Sequence, residues 1–304
     1  MKGYLALLIL PALILAVSGC TLPGAGPAVT GNGVVIEAFE SDFEQVYMGE
    51  PVKFSAKIRN TGSVDAGEGG RLVILGIDDW AEVSGDKEVD FGRLIAPDPE
   101  RGTVGEGMSL EYEAKAPKVA QGLAMTYSPT LRLMYTYSSD IVKSLTIASQ
   151  QELRAAETAG RPLPTEAVSS TQSPIALSIE TKGPIRFWTD LNEVVFPLEI
   201  RITNVGGGIA CEGRGTDCAD SKNWNKLKIK IEGTDLTLLE ECQKYTNLEE
   251  VSLWRGQSNT IVCKAKISNL PQVGPVQKMI KVHADYGYLA DSTTSVVVNW
   301  RETA

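Results

Sequence analysis

The chain has 304 residues, 43% of them hydrophobic and 22% charged, with a formal net charge of -9. That length suits two domains, and that balance excludes both a disordered chain and a largely membrane-embedded one. An acidic surface repels phosphate backbones, which argues against nucleic acid as a partner, and a single histidine, His283, leaves little room for histidine-dependent chemistry.

The N-terminus opens on Met1-Lys2 and continues as an apolar run from Leu5 to Val17 that contains Pro11. A membrane-spanning helix needs about 20 apolar residues, so this shorter run predicts a signal peptide over residues 1–19. Val17-Ser18-Gly19-Cys20 then resembles a lipobox, the pattern after which a bacterial or archaeal lipoprotein is cleaved. The resemblance implies a lipid on Cys20, membrane lipid as a partner, and a place on the outer face of the cell membrane. A plain secretory signal, or an uncleaved anchor with a free Cys20, is the alternative. Residues 20–33, rich in Gly, Pro, Ala and Thr, read as a flexible tether.

Residues 34–148 form the first predicted globular unit. Val52, Phe54, Ala56 and Ile58 alternate with polar residues up to Asn60-Thr61-Gly62, which places the four on one face of a strand. Residues 149–174 read as a linker, helical in its first part, with Gly160 and Pro162 ending the helix. Residues 175–304 form the second unit and repeat the first. Phe196, Leu198, Ile200 and Ile202 match the four apolar residues above, and Asn204-Val205-Gly206 matches Asn60-Thr61-Gly62. In both copies the Asn-x-Gly segment is read as a turn whose residues tolerate positive φ.

The repeat extends to the late strands. Tyr135 and Tyr137 match Tyr286 and Tyr288, and Leu145 and Ile147 match Val296 and Val298. The shift grows from 144 residues at Asn60 to 151 at Tyr135, so the second copy carries seven extra residues, in the interval that holds Cys211 to Cys218. Short alternating strands parted by Gly, Pro, Asn and Asp, with no sustained helical period, predict an all-β protein: two tandem β-sandwiches after a lipoprotein signal peptide. Gly49-Glu50-Pro51, the alternating strand and Ile58-Arg59-Asn60-Thr61-Gly62 together resemble the CARDB-type and related immunoglobulin-like modules of prokaryotic surface proteins, with an archaeal lipoprotein expected. That resemblance implies adhesion or spacer units, and it speaks to fold more than to activity.

Four cysteines remain beyond Cys20, and an even number in an exported chain predicts disulfides, with a four-thiolate zinc site as the minor alternative. On the repeat, Cys263 takes the inward position of Tyr112 and Cys242 that of Phe91. This favours Cys242–Cys263 and leaves Cys211–Cys218 to close a small loop. Closing the intervening segment of the first pair contributes about 3 kcal/mol in the chain-entropy model.

No metal site, cofactor or catalytic residue is expected. His283 falls on the outward register of its strand. Asp78-Asp79 and the 86–90 cluster read as solvated acidic loops, with calcium as a lesser alternative. Lys226, Lys228 and Lys230 form the polar face of a strand. Of the tryptophans, Trp188 and Trp300 are assigned to core or edge packing, whereas Trp80 and Trp224, flanked by polar residues, are expected to be exposed and are the candidate binding residues. A partner contact is expected near Cys211 to Trp224, on a loop whose residues 212–217 should be dispensable for folding. The functional expectation is a non-enzymatic cell-surface lipoprotein that serves as an adhesion, binding or scaffold module for an unknown protein or glycan of the envelope. A carbohydrate-binding envelope protein and, less favoured, an enzyme using a metal or an acid pair are the alternatives.

Overall fold

The computed structural model describes residues 33–271 and 273–302. The expected signal peptide, Cys20 and all of the tether but Gly33 lie outside the described residues. The chain has a β-sandwich-like, all-β fold. Its N-terminal half contains β1 (Val34–Ser41), β2 (Gln45–Tyr47), β3 (Pro51–Asn60), β4 (Gly67–Leu75), β5 (Ala81–Ser84), β6 (Glu88–Phe91), β7 (Gly107–Lys115), β8 (Ala124–Tyr127) and β9 (Thr130–Ser149). A helix, α1 (Gln150–Thr158), and β10 (Val168–Ser170) follow. The C-terminal half contains β11 (Ile175–Glu180), β12 (Ile185–Phe187), β13 (Glu193–Asn204), β14 (Ile209–Cys211), β15 (Lys226–Gly233), β16 (Leu236–Leu238), β17 (Glu249–Ser252), β18 (Ser258–Ser268), β19 (Val276–Thr293) and β20 (Val296–Asn299).

Period-two alternation builds the layers. Val52, Phe54, Ala56 and Ile58 on β3, and Phe196, Leu198, Ile200 and Ile202 on β13, are all buried, while their neighbours face solvent. Each of these side chains except Ala56 contributes about 1.5–3 kcal/mol on burial. One four-stranded sheet, β1-β3-β7-β5, belongs to the N-terminal half, and another, β11-β13-β18-β16, to the C-terminal half. Both bury their inner faces in one continuous hydrophobic cluster with a nine-stranded sheet that runs through the two halves.

The nine-stranded sheet is joined at its centre by β9 and β19, which pair antiparallel from Val276↔Ile147 to Thr293↔Thr130. β4 flanks β9 on the N-terminal side and β15 flanks β19 on the C-terminal side. Each copy then passes its last strand to the other. The end of β9 runs parallel to β12, with Ile147 opposite Ile185, inside the C-terminal half. β20 returns to the N-terminal half, between β2 and β8, with Val298 opposite Val46 and Met125. The division into units 34–148 and 175–304 therefore needs correction: residues 141–148 complete the C-terminal half, and 296–299 the N-terminal half. The physical reason is that β9 and β19 do not bend back at the junction but continue straight across it.

Where the two long strands cross, four tyrosines meet. Tyr137 lies opposite Tyr286, and Tyr135 opposite Tyr288. Their ring centroids are 5.7–6.4 Å apart, within the range of favourable aromatic pairs. The hydroxyls are satisfied locally. Tyr286 shares a 2.7 Å hydrogen bond with the buried Ser139, whose hydroxyl donates to Ser173. Tyr288 donates to Asn204 Oδ1 at 2.8 Å and accepts from the Gly208 amide. Burial pushes the Tyr137 and Tyr288 phenols up to about 12, against the hydrogen bonds from Val64 on the one and with Gly208 and Asn204 on the other.

The two Asn-x-Gly segments work differently from the positive-φ turn expected. None of Asn60, Gly62, Asn204 and Gly206 has positive φ. The asparagine side chain makes the corner instead. Asn60 Nδ2 donates to the Val64 and Leu94 carbonyls, and its Oδ1 accepts from the Gly62 amide. Asn204 repeats the pattern with Gly208, Gly256 and Gly206. An amide side chain with two donors and one acceptor satisfies three backbone groups at once, which no aliphatic residue does.

Candidate functional site

The loop singled out by the extra seven residues is not free. From Cys211 it runs through a 3-10 turn at Gly215–Ala219 and a second at Ser221–Asn223, and it folds back over the outer face of the nine-stranded sheet. Cys211 and Cys218 stand at disulfide distance, Cα–Cα 5.4 Å, and pack with Met134 of β9 and Leu289 of β19 in a small buried cluster. The Gly215 amide donates to Thr136 Oγ1 at 2.9 Å, and that hydroxyl donates to the Glu68 carbonyl. Gly215 lies against the Tyr135 backbone and Gly287 against the Arg214 carbonyl and Cys218 Sγ, so a Cβ at either would collide. The loop is thus a clasp laid across both halves. The expectation that 212–217 are dispensable is corrected on that ground.

Neither candidate tryptophan presents a face to solvent. Trp80 is buried, packed edge-on against Phe54 and Tyr127 at 5.5 and 5.7 Å, and its Nε1 has no hydrogen-bond partner. Trp224 is partly buried against the clasp, and its Nε1 donates to the Cys218 carbonyl at 2.7 Å. In both cases polar neighbours signal a turn, not an exposed ring. The exposed tryptophans are Trp188 and Trp254, 62% and 73% accessible. Trp188 stands just past β12, contrary to its assignment to packing. Trp254 caps the turn between β17 and β18, with the Arg255 guanidinium 5.8 Å from its ring centroid and an open hollow of about 520 Å³ shared with Ser258 and Asn259. No sequence pattern separates these two tryptophans from the others.

Cys242 and Cys263 also stand at disulfide distance, Cα–Cα 5.7 Å. The pairing matches expectation, but the alignment behind it does not extend to Phe91. Phe91 lies on β6, whereas Cys242 lies in a 3-10 turn, Glu240–Thr246.

The charged candidates are engaged with one another. Lys226, Lys228 and Lys230 pair with Glu250, Glu212 and Glu232 at 3.3, 3.2 and 2.8 Å. Asp78 pairs with Lys87, and Asp220 with Lys222. Among the described residues no group of three or more His, Cys, Asp and Glu is placed to hold a metal ion. His283 lies on the outer face at the junction, its Nδ1 2.9 Å from Asp140 of β9 and its Nε2 3.1 Å from Asp285. The Asp285 hydrogen bond, helped by Asp140, raises the imidazole above its ordinary value of 6.5 despite its partial burial. Burial alone would raise Asp140, but hydrogen bonds from Lys281 and His283 hold it below the usual range. Because His283 is raised in the folded state, its stabilisation is complete below pH 6.5 and fades as pH rises through the higher folded-state value. NMR titration of this one histidine should give a midpoint above 6.5 that falls in D285N; a midpoint at or below 6.5 would contradict the bridge.

No family model matches the chain, and no curated protein matches it. Among solved structures, a tyrosine-to-glycine mutant of Salmonella alpha-2-macroglobulin aligns with 89% of this chain at 9% identity and a TM-score of 0.24. The chain spans 23% of that protein's length. A chaperone–tip adhesin complex of CFA/I fimbriae biogenesis aligns with 88% of this chain and 81% of its own, at 10% identity and a TM-score of 0.10.

Proposed function

We propose that the chain is a non-enzymatic envelope lipoprotein: two immunoglobulin-like units locked into one body, tethered through a lipid on Cys20 to the outer face of the cell membrane, and acting as an adhesion, binding or scaffold module. The observation that carries this reading is the exchange of last strands across the β9–β19 ladder. An ordinary pair of domains on a linker moves about its interface. Here a shared sheet, a swapped strand at each end and a clasp remove the hinge, which suits a part that must hold its surfaces at fixed separation. Two cysteine pairs at disulfide distance fit an oxidising compartment outside the cytosol. The lipobox and the strand ends that resemble CARDB-type modules fit the same location. Two acyl chains suffice for stable attachment, since each buried CH₂ contributes about 0.8 kcal/mol. Mass spectrometry of the protein from the membrane fraction should find a lipid on Cys20, and C20A should lack it and leave that fraction. An unlipidated wild-type protein in the cytosol with its thiols reduced would overturn the reading.

A second reading, a carbohydrate-binding envelope protein, is favoured by the exposure of Trp254 and Trp188. An open aromatic ring stacks on the C–H face of a sugar, and Asn259 and Ser258 beside Trp254 supply polar edges. W254A should lose glycan-array signals that the wild-type protein gives, while its melting temperature stays unchanged.

A further inference from the structure

All twelve arginines lie in the described residues. Seven have a carboxylate within 4.0 Å. Of the other five, Arg255 stacks on Trp254 and Arg214 belongs to the clasp. The remaining three, Arg154, Arg161 and Arg186, all line one open groove of about 460 Å³.

The groove runs between α1, the turn after it and the approach to β12. Leu153, Leu163 and Pro184, each partly buried, form its apolar side, and Glu157 is the one carboxylate in its lining. Three guanidiniums of like charge are drawn together there in a protein whose net charge is -9. Among the described residues no carboxylate stands within ion-pair distance to offset their repulsion, whereas a bound carboxylate would, because it meets a guanidinium through two parallel hydrogen bonds. One further feature says what the carboxylate is attached to. Ile185 and Phe187 face inward on β12, while Arg186 and, next beyond the strand, Trp188 are exposed, which sets an aromatic platform on the same side of the chain as a guanidinium of the groove. A bare anion would use the arginines and leave the apolar side and the platform untouched.

We infer that the groove between α1 and β12 binds an acidic saccharide, its carboxylate held by Arg154, Arg161 and Arg186 and its ring lying on the apolar side toward Trp188. This rests on the carbohydrate reading above and adds the charge class and the place. The probe is a galacturonate hexamer titrated calorimetrically into the full chain in detergent, with its methyl ester as the neutral counterpart. The acid is expected to bind saturably, and the ester about tenfold more weakly or worse. The double variant R161Q/R186Q should lose about tenfold or more, and W188A several-fold. R255Q, at the other tryptophan, should bind as wild type, with all variants keeping the wild-type circular dichroism. Equal affinity for acid and ester would overturn the inference while leaving the carbohydrate reading to the Trp254 array. Undiminished binding by the folded double variant, no saturable binding of the acid by the wild-type chain, or equally tight binding of inorganic phosphate would each overturn it as well.

Discussion

Removing residues 294–304 is expected to lower the melting temperature by roughly 10–15 °C and to make the N-terminal half the first part to open. These residues belong in sequence to the second copy, yet they carry the central strand of the β2-β20-β8 sheet in the first half. Val296 and Val298 are fully buried there, and two valines contribute roughly 3–6 kcal/mol. The backbone adds to this. Val297 donates to the Glu44 carbonyl beside β2, and Trp300 to the Leu123 carbonyl beside β8, so truncation strips partners from strands on both sides. The Arg301–Glu50 ion pair is exposed and contributes little. Hydrogen exchange should therefore deprotect β2 and β8 while β13 and β18 stay protected. Because the lost strand joins β19 only through Thr294 and Ser295, a synthetic peptide of residues 294–304 in excess should restore part of the melting temperature by binding the folded form. Melting within a degree or two of the full chain would mean that β20 is a surface addition and not part of the first half.

That exchange was the part of the fold the sequence hid, and the reason is physical. Alternation reports that one face of a strand is buried. It does not report in which body. Leu145 and Ile147, or Val296 and Val298, read the same whichever half they complete. Their mutual equivalence was visible as a repeat, and so were the inward faces of β3 and β13, because those depend on local pattern alone. One signal pointed further. The stretches that became β9 and β19 hold 20 and 18 residues without a Pro, well beyond the usual 3–10 of a sandwich strand. Ser138-Ser139-Asp140 sets three polar residues in the middle of β9, yet Ser139 is buried and satisfied by Ser173 and Tyr286 across the junction. The tryptophans failed for a related reason. Asp78 and Asp79 before Trp80 are the polar lead into a tight turn, with the Trp80 amide bonded to the Ile77 carbonyl, and the turn drives the ring inward. The arginine groove was illegible because Arg154, Arg161 and Arg186 come together only when α1 is laid beside β12.

Deleting residues 212–217 is expected to lower stability by about 6 kcal/mol, the opposite of what a free recognition loop would do. Met134 and Leu289 are almost wholly buried beneath the loop, and uncovering each costs about 2 kcal/mol. The deletion also makes Cys211 and Cys218 neighbours in sequence, so their bridge is lost, and in the chain-entropy model a loop of this size contributes about 2 kcal/mol. The double variant C211A/C218A separates these contributions. It removes the bridge but leaves the cover, and it should lose only about 2 kcal/mol in urea unfolding. G215A tests the seat itself, since the new methyl group meets the Tyr135 backbone and must lift the turn off β9. If the clasp joins the halves, G215A weakens the protein even with the bridge intact, and it exposes the Thr136 hydroxyl that now accepts the Gly215 amide. A deletion protein as stable as wild type would leave the two halves joined by strands alone and return the loop to the role of a free surface.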